Sequence, residues 1–415
     1  MPGIIEQFVQ YADKLSFSSL CLNRIKKGLV IIMELKEKAL SLHREWNGKI
    51  TTTPKCQVKT REDLALAYTP GVAEPCKVIA EDKEAAYTYT IKSNTVAVVS
   101  DGSAVLGLGN IGPEAAMPVM EGKAVLFKEF GGVNAFPICL DTQDTDEIVQ
   151  TVINIAPAFG GINLEDISAP RCFEIEERLK KALNIPVFHD DQHGTAIVVL
   201  AGIMNGLKVV NKKKENCHIV VNGAGSAGVA ITKLLLRFGF PDVVMCDKSG
   251  ILSKDSSNLN WMQKEMMEVT NLTGKTGTLA DALKGADIFV GVSAPNIVTP
   301  EMVTSMNHDA ILFAMANPVP EIMPDVAKKA GARVVGTGRS DFPNQVNNVV
   351  AFPGIFKGAL EGRASQITEE MKLAASYAIA GLVADEDLHE DNILPEPFDP
   401  RVAEVVSRAI KDHIH

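Results

Sequence analysis

Two adjacent pairs of acidic residues lie close together in the chain, and each pair follows an apolar run. Glu165 and Asp166 lie in FGGINLEDI, one residue before its end, and Asp190 and Asp191 close IPVFHDD. Carboxylates that converge without Cys or regularly spaced His are typical ligands of a hard divalent cation, Mg²⁺ or Mn²⁺, rather than of zinc. The alternative is that both pairs are solvated ends of loops, the usual environment of Asp and Glu. The flanking Ile, Phe and Val favour a binding site over that alternative.

A lysine is the next candidate, because Lys123 lies in the apolar stripe of a predicted helix, MPVMEGKAVLFKEF, with Pro118 in its first turn. Val119 and Phe127 are four residues away on either side and share its helix face. A lysine on that face either extends to a surface or is desolvated with a lowered pKa, the state in which lysines act as bases. Both interpretations stay open.

Tyr68 directly precedes Thr69, Pro70 and Gly71, a combination that favours a turn and would hold the backbone after the tyrosine. A tyrosine usually packs its ring and lets the hydroxyl bond any nearby partner. The turn therefore does not by itself indicate catalysis.

The elements that must position these residues alternate between strands and helices. FGGINLEDI and IPVFHDD flank the helical pattern CFEIEERLKKALN, so we expect their two strands to be parallel. Ligands of open α/β sheets bind at the carboxyl ends of strands, which is where both acidic pairs lie. Further strands are predicted at TVAVVSD, AVLGLGN and NAFPICLD, and a buried helix at TAIVVLAGIMNGLKVV.

A dinucleotide-binding fingerprint follows that helix. The strand HIVVN leads into GAGSAG, a helix follows, and the strand DVVMCD ends at Asp247. The expected cofactor-binding residues are Gly223, Ala224, Gly225, Ser226, Ala227, Gly228 and Asp247. Asp247 favours NAD because it can bond the ribose hydroxyls and repel a 2′-phosphate, although Lys248 could offset that repulsion and admit NADP. Asn317, Asn347 and Asn348 follow later strands, where asparagine is more often a turn former.

Composition limits the possible classes of protein. The chain has 415 residues, 46% of them hydrophobic and 22% charged, which predicts a globular protein of two domains. The net charge of −10 argues against nucleic acid as a partner. The apolar run GLVIIM is too short for a signal sequence or a membrane span. Seven Cys without C-x-x-C indicate reduced thiols and a cytoplasmic setting.

The predicted architecture is α/β. An extension at residues 1–33 precedes an α/β domain at residues 34–194, and a Rossmann-type doubly wound dinucleotide-binding domain with a helical tail occupies residues 195–415.

Seven motifs, in this order, resemble the short-chain bacterial branch of the malic enzymes from about Glu34 onward. They are LAYTPGV, SDGSAVLGLGNIGP, PVMEGKAVLFK, FGGINLEDI, IPVFHDDQHGTA, ANPVPE and TGRSDFPNQVNNVVAFPG.

The resemblance implies metal-dependent oxidative decarboxylation of malate to pyruvate and CO₂ with NAD or NADP, by a cytoplasmic homodimer that can also decarboxylate oxaloacetate. It implies that Tyr68 is the general acid and Lys123 the general base. The implied metal ligands are Glu165, Asp166 and Asp191, with Asp190 beside them among the catalytic residues. It further implies that Asn317 reaches the cofactor and substrate and that Asn348 reaches malate.

Three alternatives share these motifs in part. A malolactic enzyme would keep its NAD and release lactate, a simple malate dehydrogenase would release oxaloacetate, and a nucleotide sensor would have a broken site. One departure concerns the distal carboxylate of malate: where the long-chain branch has an arginine, this chain has Ser103 and Ala104. Arg171 and Arg339 are the candidates to replace it.

Overall fold

A computed structural model describes residues 35–105, 107–256 and 259–414. The chain divides into two compact units between Thr53 and Pro54. The described part of the first unit contains one helix, α1, at residues 35–46. The predicted extension at residues 1–33 lies outside the described residues.

Ten strands form two sheets in the described part of the second unit. They are β1 Thr95–Ser100, β2 Asn134–Cys139, β3 Gly161–Leu164, β4 Val187–His189, β5 Ile219–Asn222, β6 Val243–Asp247, β7 Gly250–Ile251, β8 Ile288–Gly291, β9 Ala310–Ala314 and β10 Ala332–Thr337.

The helices of the second unit connect and cover these strands. They are α2 Arg61–Ala67, α3 Ala73–Glu81, α4 Ala86–Tyr89, α5 Pro113–Gly131, α6 Thr145–Ile155, α7 Arg171–Ala182, α8 Asp190–Val209, α9 Ser226–Phe238, α10 Trp261–Met266, α11 Leu279–Leu283, α12 Pro300–Thr304, α13 Pro324–Lys329, α14 Phe352–Glu361, α15 Glu369–Ala380 and α16 Arg401–Lys411.

Both sheets are built from parallel strands joined by helices, as the alternating pattern predicts. The first has the order β2-β1-β3-β4 and the second β10-β9-β8-β5-β6-β7, with β7 as the antiparallel edge. All residues of β1, β3 and β8 are buried, which explains why these strands read as continuous apolar runs rather than as alternating ones. The prediction of an α/β fold with a doubly wound second sheet is confirmed.

Helix α8 is shared by the two sheets. Its apolar residues belong to one core together with residues of β1 and of β5, β8 and β9. A Cβ at Gly202 would lie 2.9 Å from the ring of Phe313 on β9, so glycine allows the helix to approach that strand closely. The predicted domain boundary between residues 194 and 195 falls within this helix.

Two predicted details are wrong. AVLGLGN is not a strand: around Leu106, which is not described, Val105 and Gly109 form an isolated bridge and Gly107 has a φ of 74°. Helix α5 begins at Pro113, so Pro118 lies inside it rather than in its first turn. Gly112, with a φ of 82°, turns the chain into a helix whose first position suits proline.

None of the described helices is long and apolar enough to cross a membrane. The six described cysteines are free thiols.

Candidate active site

A cleft of about 430 Å³ opens where the carboxyl ends of the first sheet meet the glycine-rich loop of the second. Asp166 and Asp191 line it from the first sheet, and Ser226 and Ala227 line it from the start of α9. Helix α8 places the two walls against each other, because it begins at the acidic residues and then packs on the second sheet. Both predicted sites therefore face one space.

Three carboxylates lie close together at that side of the cleft, and two of them, Asp166 and Asp191, line it. Ligand oxygens of Glu165, Asp166 and Asp191 lie within 4.8 Å of one another. Glu165 follows β3 and accepts a hydrogen bond from Asn163 Nδ2 at 2.8 Å, while Asp191 Oδ2 accepts one from the backbone N–H of Asp166 at 2.8 Å. Asp190 and Asp191 form the first turn of α8 rather than an extension of β4, a position where the helix dipole favours negative charge.

Negative charge in this cluster is poorly compensated by the protein. Burial, followed by the charges of Asp191 and Glu165, raises the pKa of Asp166 to about 9. The side chain of Asp191 remains 31% exposed, and partial desolvation raises its pKa less, to about 6. Asp166 Oδ2 is buried without a hydrogen-bond partner in the described part of the chain. An all-oxygen donor set with excess negative charge fits Mg²⁺ or Mn²⁺.

Lys123 lies beside the carboxylates, only 8% exposed. Its Nζ is 2.5 Å from Asp190 Oδ2 and 2.9 Å from Glu165 Oε1. Burial alone lowers the pKa of Lys123, but the charges of Asp190 and Glu165 outweigh that effect and hold the pKa above its usual value. Lys123 therefore does not extend to a surface, and its pKa is raised rather than lowered, because the lysine is buried beside two carboxylates.

Asp190 is the residue that joins this cluster to the second sheet. It is fully buried, and burial raises its pKa to about 7 although Lys123 opposes the rise. Its Oδ2 accepts a hydrogen bond from Nδ2 of Asn348, which lines the cleft. Asn317 also lines the cleft and donates to the carbonyl of Met315 at 3.3 Å. Asn347 lines the cleft too, and its side chain accepts the backbone N–H of Val349, the turn-forming role expected of most loop asparagines.

The glycine-rich loop has the geometry that its sequence predicts. Gly223 has a φ of 116°, and a Cβ there would lie 2.4 Å from the carbonyl of Val292. A Cβ at Gly228 would lie 1.7 Å from the carbonyl of Gly223, so α9 packs against the loop without a side chain between them. A Cβ at Gly225 would meet nothing within 4 Å. The open space lies at the N-terminus of α9, where backbone N–H groups and the helix dipole bind phosphate.

The rest of the fingerprint is also present. Asp247 ends β6, and its Oδ1 accepts the backbone N–H of Ser249 at 2.7 Å. Ala224 lies buried within the loop.

Glu321 is a residue that the sequence reasoning missed. It is fully buried, and its carboxylate accepts the backbone N–H of Ser293 at 2.9 Å and that of Ala316 at 3.0 Å. It thereby ties together the loops after β8 and β9, which both line the cleft. An acidic residue directly after the proline-rich turn NPVP was the available signal.

Three residues that were predicted for the active site do not line the cleft. Tyr68 follows α2, is 66% exposed and does not line the cleft. Arg171 donates to Asp101 Oδ2 at 2.9 Å and to Ser103 Oγ at 3.1 Å. Arg339 pairs with Asp341 through two nitrogens, at 2.8 and 2.6 Å. Neither guanidinium lines the cleft.

Known proteins match nearly the whole chain. The family model of the malic enzyme N-terminal domain matches residues 47–180, and that of the malic enzyme NAD-binding domain matches residues 192–411. The bifunctional malic/malolactic enzyme of Bacillus subtilis is 59% identical over 91% of this chain and 92% of its own length. The NAD-dependent malic enzyme of Geobacillus stearothermophilus is 58% identical over 92% of this chain and 79% of its own length.

The fold of a solved relative also resembles the fold of this chain closely. The crystal structure of an NAD-dependent malic enzyme from Thermotoga maritima has a TM-score of 0.87 and 52% identity to this chain. It covers 90% of this chain, which in turn covers 98% of that structure.

Proposed function

The chain belongs to the malic enzyme family, and on that premise we propose that it converts (S)-malate to pyruvate and CO₂ while reducing a nicotinamide cofactor. The observation that carries the proposal is the shared cleft, in which the glycine-rich loop and the cluster of carboxylates face the same space. A substrate between them has its reacting carbon next to both a hydride acceptor and a site for a divalent cation.

Glu165, Asp166 and Asp191 are the proposed metal ligands. A divalent cation there would hold the C2 hydroxyl and a carboxylate of malate and stabilise negative charge on the reacting oxygens. The unpartnered oxygen of Asp166 and the raised pKa of its carboxyl support this role, since both reflect negative charge that lacks a counter-ion.

Lys123 is the proposed general base. The charges of Asp190 and Glu165 hold the proton on its amine. Neutralising the charge of the carboxylate cluster weakens that hold, because burial by itself favours the neutral amine. Lys123 can then take the proton of the C2 hydroxyl while hydride passes from C2 to the nicotinamide. Asp190 and Asn348 keep the amine in place through their shared oxygen contact.

The second half of the reaction breaks the bond between C3 and C4. Oxidation at C2 creates a β-keto acid, so CO₂ leaves with its bonding electrons remaining on the enolate of pyruvate. A proton must then reach C3, and Tyr68 is the proposed donor. Oxaloacetate supplied directly enters at this stage and is expected to lose CO₂ at the same site.

The cofactor is a nicotinamide dinucleotide, and we assign NAD as the preferred form. Asp247 ends β6, and its proposed role is to bond ribose hydroxyls and to repel a 2′-phosphate. Asn317, in the cleft wall, is assigned to the cofactor and substrate and Asn348 to malate.

The deciding experiment supplies malate and Mn²⁺ with NAD or NADP in parallel and measures reduced cofactor, pyruvate, lactate and CO₂. Equal amounts of reduced cofactor, pyruvate and CO₂ are expected, with higher kcat/KM for NAD. Oxaloacetate without CO₂ would identify a simple malate dehydrogenase instead. The Asp191→Asn variant is the control, since it should lose turnover at limiting Mn²⁺.

Lactate formation is the second candidate outcome, favoured by the 59% identity to a relative described as a bifunctional malic/malolactic enzyme. In that reaction the reduced cofactor stays bound and returns its hydride to pyruvate. Lactate without net reduction of the cofactor, measured in the same incubation, would show it.

A further inference from the structure

Glu321 is a buried acidic residue without a cationic partner. Its side chain is fully buried. Among the described residues, the hydrogen-bond partners of its carboxylate are two backbone N–H groups and one hydroxyl group. Glutamate is rarely buried completely unless it is paired with a cation or binds a metal. The position of this carboxylate therefore calls for a functional explanation.

The hydrogen bonds around Glu321 have the pattern of a carboxylate anion. Oε1 accepts the backbone N–H of Ser293 at 2.9 Å and its hydroxyl at 3.1 Å, and Oε2 accepts the N–H of Ala316 at 3.0 Å. Asn222 Nδ2 donates to Ser293 Oγ at 2.7 Å, which leaves the hydroxyl proton for Glu321. A neutral carboxyl would donate one bond, whereas all of these groups donate to Glu321.

This anion lies directly behind one wall of the cleft. Ser293 and Ala316, which it holds, follow β8 and β9 and line the cleft. A Cβ at Gly291, the last residue of β8, would lie 2.5 Å from Cδ of Glu321. Glycine at that position is therefore what lets the carboxylate approach the end of the strand.

The sheet order indicates which half of a dinucleotide faces this wall. The glycine-rich loop follows β5, and Asp247 ends β6 on one side of it, whereas β8 and β9 lie on the other side. A dinucleotide crosses the sheet at this reversal of strand order, with its pyrophosphate at the glycine-rich loop. If Asp247 takes the adenosine ribose, the nicotinamide half lies over the loops after β8 and β9, in front of Glu321.

The charge of the nicotinamide ring depends on its oxidation state. The ring is a cation in NAD⁺ and is neutral in NADH, so a nearby anion attracts only the oxidised form. The attraction is strong where water is excluded, as it is around Glu321. None of the described residues that line the cleft has a cationic side chain that would oppose it.

We infer that Glu321 makes the cleft bind the oxidised nicotinamide in preference to the reduced one, so that the reduced cofactor leaves more readily after hydride transfer. The inference rests on the proposed function, which requires a nicotinamide cofactor. Glu321 lies behind the wall that Ser293 and Ala316 form, so it is a positioning residue rather than a catalytic one.

Binding of the two cofactor forms tests this inference. The dissociation constants of NAD⁺ and NADH are measured on the full chain by calorimetry, without malate or Mn²⁺. Glu321→Gln keeps the shape of the side chain and removes its charge. The ratio of the Kd of NAD⁺ to the Kd of NADH should rise by about fivefold to twentyfold, as expected for one charge acting through a layer of backbone at an effective dielectric constant of about 20.

Two further variants separate charge from structure. Glu321→Asp keeps the charge but is too short to hold both loops, so it should weaken both cofactor forms alike and leave the ratio unchanged. Asp287→Asn makes the matching change at the other end of β8. Asp287 is only 5% exposed and accepts the N–H of His218 at 2.9 Å, but it pairs with Lys212 and does not line the cleft. Its ratio should also stay at the wild-type value.

Equal weakening of NAD⁺ and NADH by Glu321→Gln would show that the carboxylate only holds the loops, and it would overturn the inference. Glu321→Ala replaces this variant if it does not fold, since water can occupy the space beside the two N–H groups, and it should raise the ratio in the same way. A wild-type chain that binds neither form would contradict the proposed function instead, and this is seen before any variant is compared.

Discussion

Replacing Lys123 by Met should destabilise the metal-free protein strongly at neutral pH and only weakly in acid. Methionine keeps the shape of the side chain and removes the charge that Asp190 and Glu165 face at 2.5 and 2.9 Å. With an effective dielectric constant of about 20, each of these contacts is worth about 6 kcal/mol of Coulomb attraction. Desolvation of the ions offsets most of that, so the expected loss is about 3 to 5 kcal/mol, the usual cost of breaking a buried pair.

The pH dependence follows from the carboxylates. The pKa of Asp190 is already raised to about 7 by burial, and removing Lys123 takes away the largest influence that lowers it. A carboxyl whose pKa is higher in the folded state than in the unfolded state favours folding at low pH, and its contribution is lost as pH rises through the folded pKa. The variant should therefore approach the wild type near about pH 5, and the loss of stability should grow as pH rises through about pH 7.

Urea unfolding followed by circular dichroism at both pH values, with and without Mn²⁺, measures this effect. Mn²⁺ should restore part of the stability of the variant because it supplies positive charge to the same cluster. Lys128→Met is the control, since Lys128 lies on the exposed face of the same helix and should change the free energy of unfolding by less than about 0.5 kcal/mol. A Lys123→Met variant as stable as the wild type at neutral pH would refute the reasoning.

Three further outcomes are expected. Asp191→Asn should weaken Mn²⁺ binding by about tenfold or more. It should leave NAD binding unchanged in calorimetry, because the glycine-rich loop follows a different strand. Gly225→Ala should fold normally but bind NAD poorly, whereas Gly228→Ala should lower the melting temperature, since only the latter Cβ meets backbone. Burial and neighbouring carboxylates raise the pKa of Asp166 to about 9, so without added metal its contribution to stability is lost as pH rises towards that value. Mn²⁺ should therefore raise the melting temperature more at about pH 8 than at about pH 6.

Local patterns determined the architecture. Strands β1, β3 and β8 are buried on both faces, so each reads as a short apolar run that is recognisable without knowledge of its neighbours. The glycine fingerprint is also recognisable locally, because Gly223 adopts a positive φ and Gly228 contacts the carbonyl of Gly223, although the close contact of Gly223 itself is with the distant Val292. The two acidic pairs were predictable for the same reason, since parallel strands place their carboxyl ends at one edge.

Local patterns could not predict the protonation or the hydrogen bonds of residues whose partners are distant in sequence. Whether Lys123 is a neutral base or a counter-ion depends on Asp190, 67 positions away, and the role of Glu321 depends on the N–H of Ser293, 28 positions away. A pKa or a buried hydrogen bond is set by charge and distance in space. Exposure is likewise a property of the folded chain. The sequence could mark Tyr68 as a candidate acid, but its 66% exposure, after a helix with no buried residue, depends on how distant parts of the chain pack.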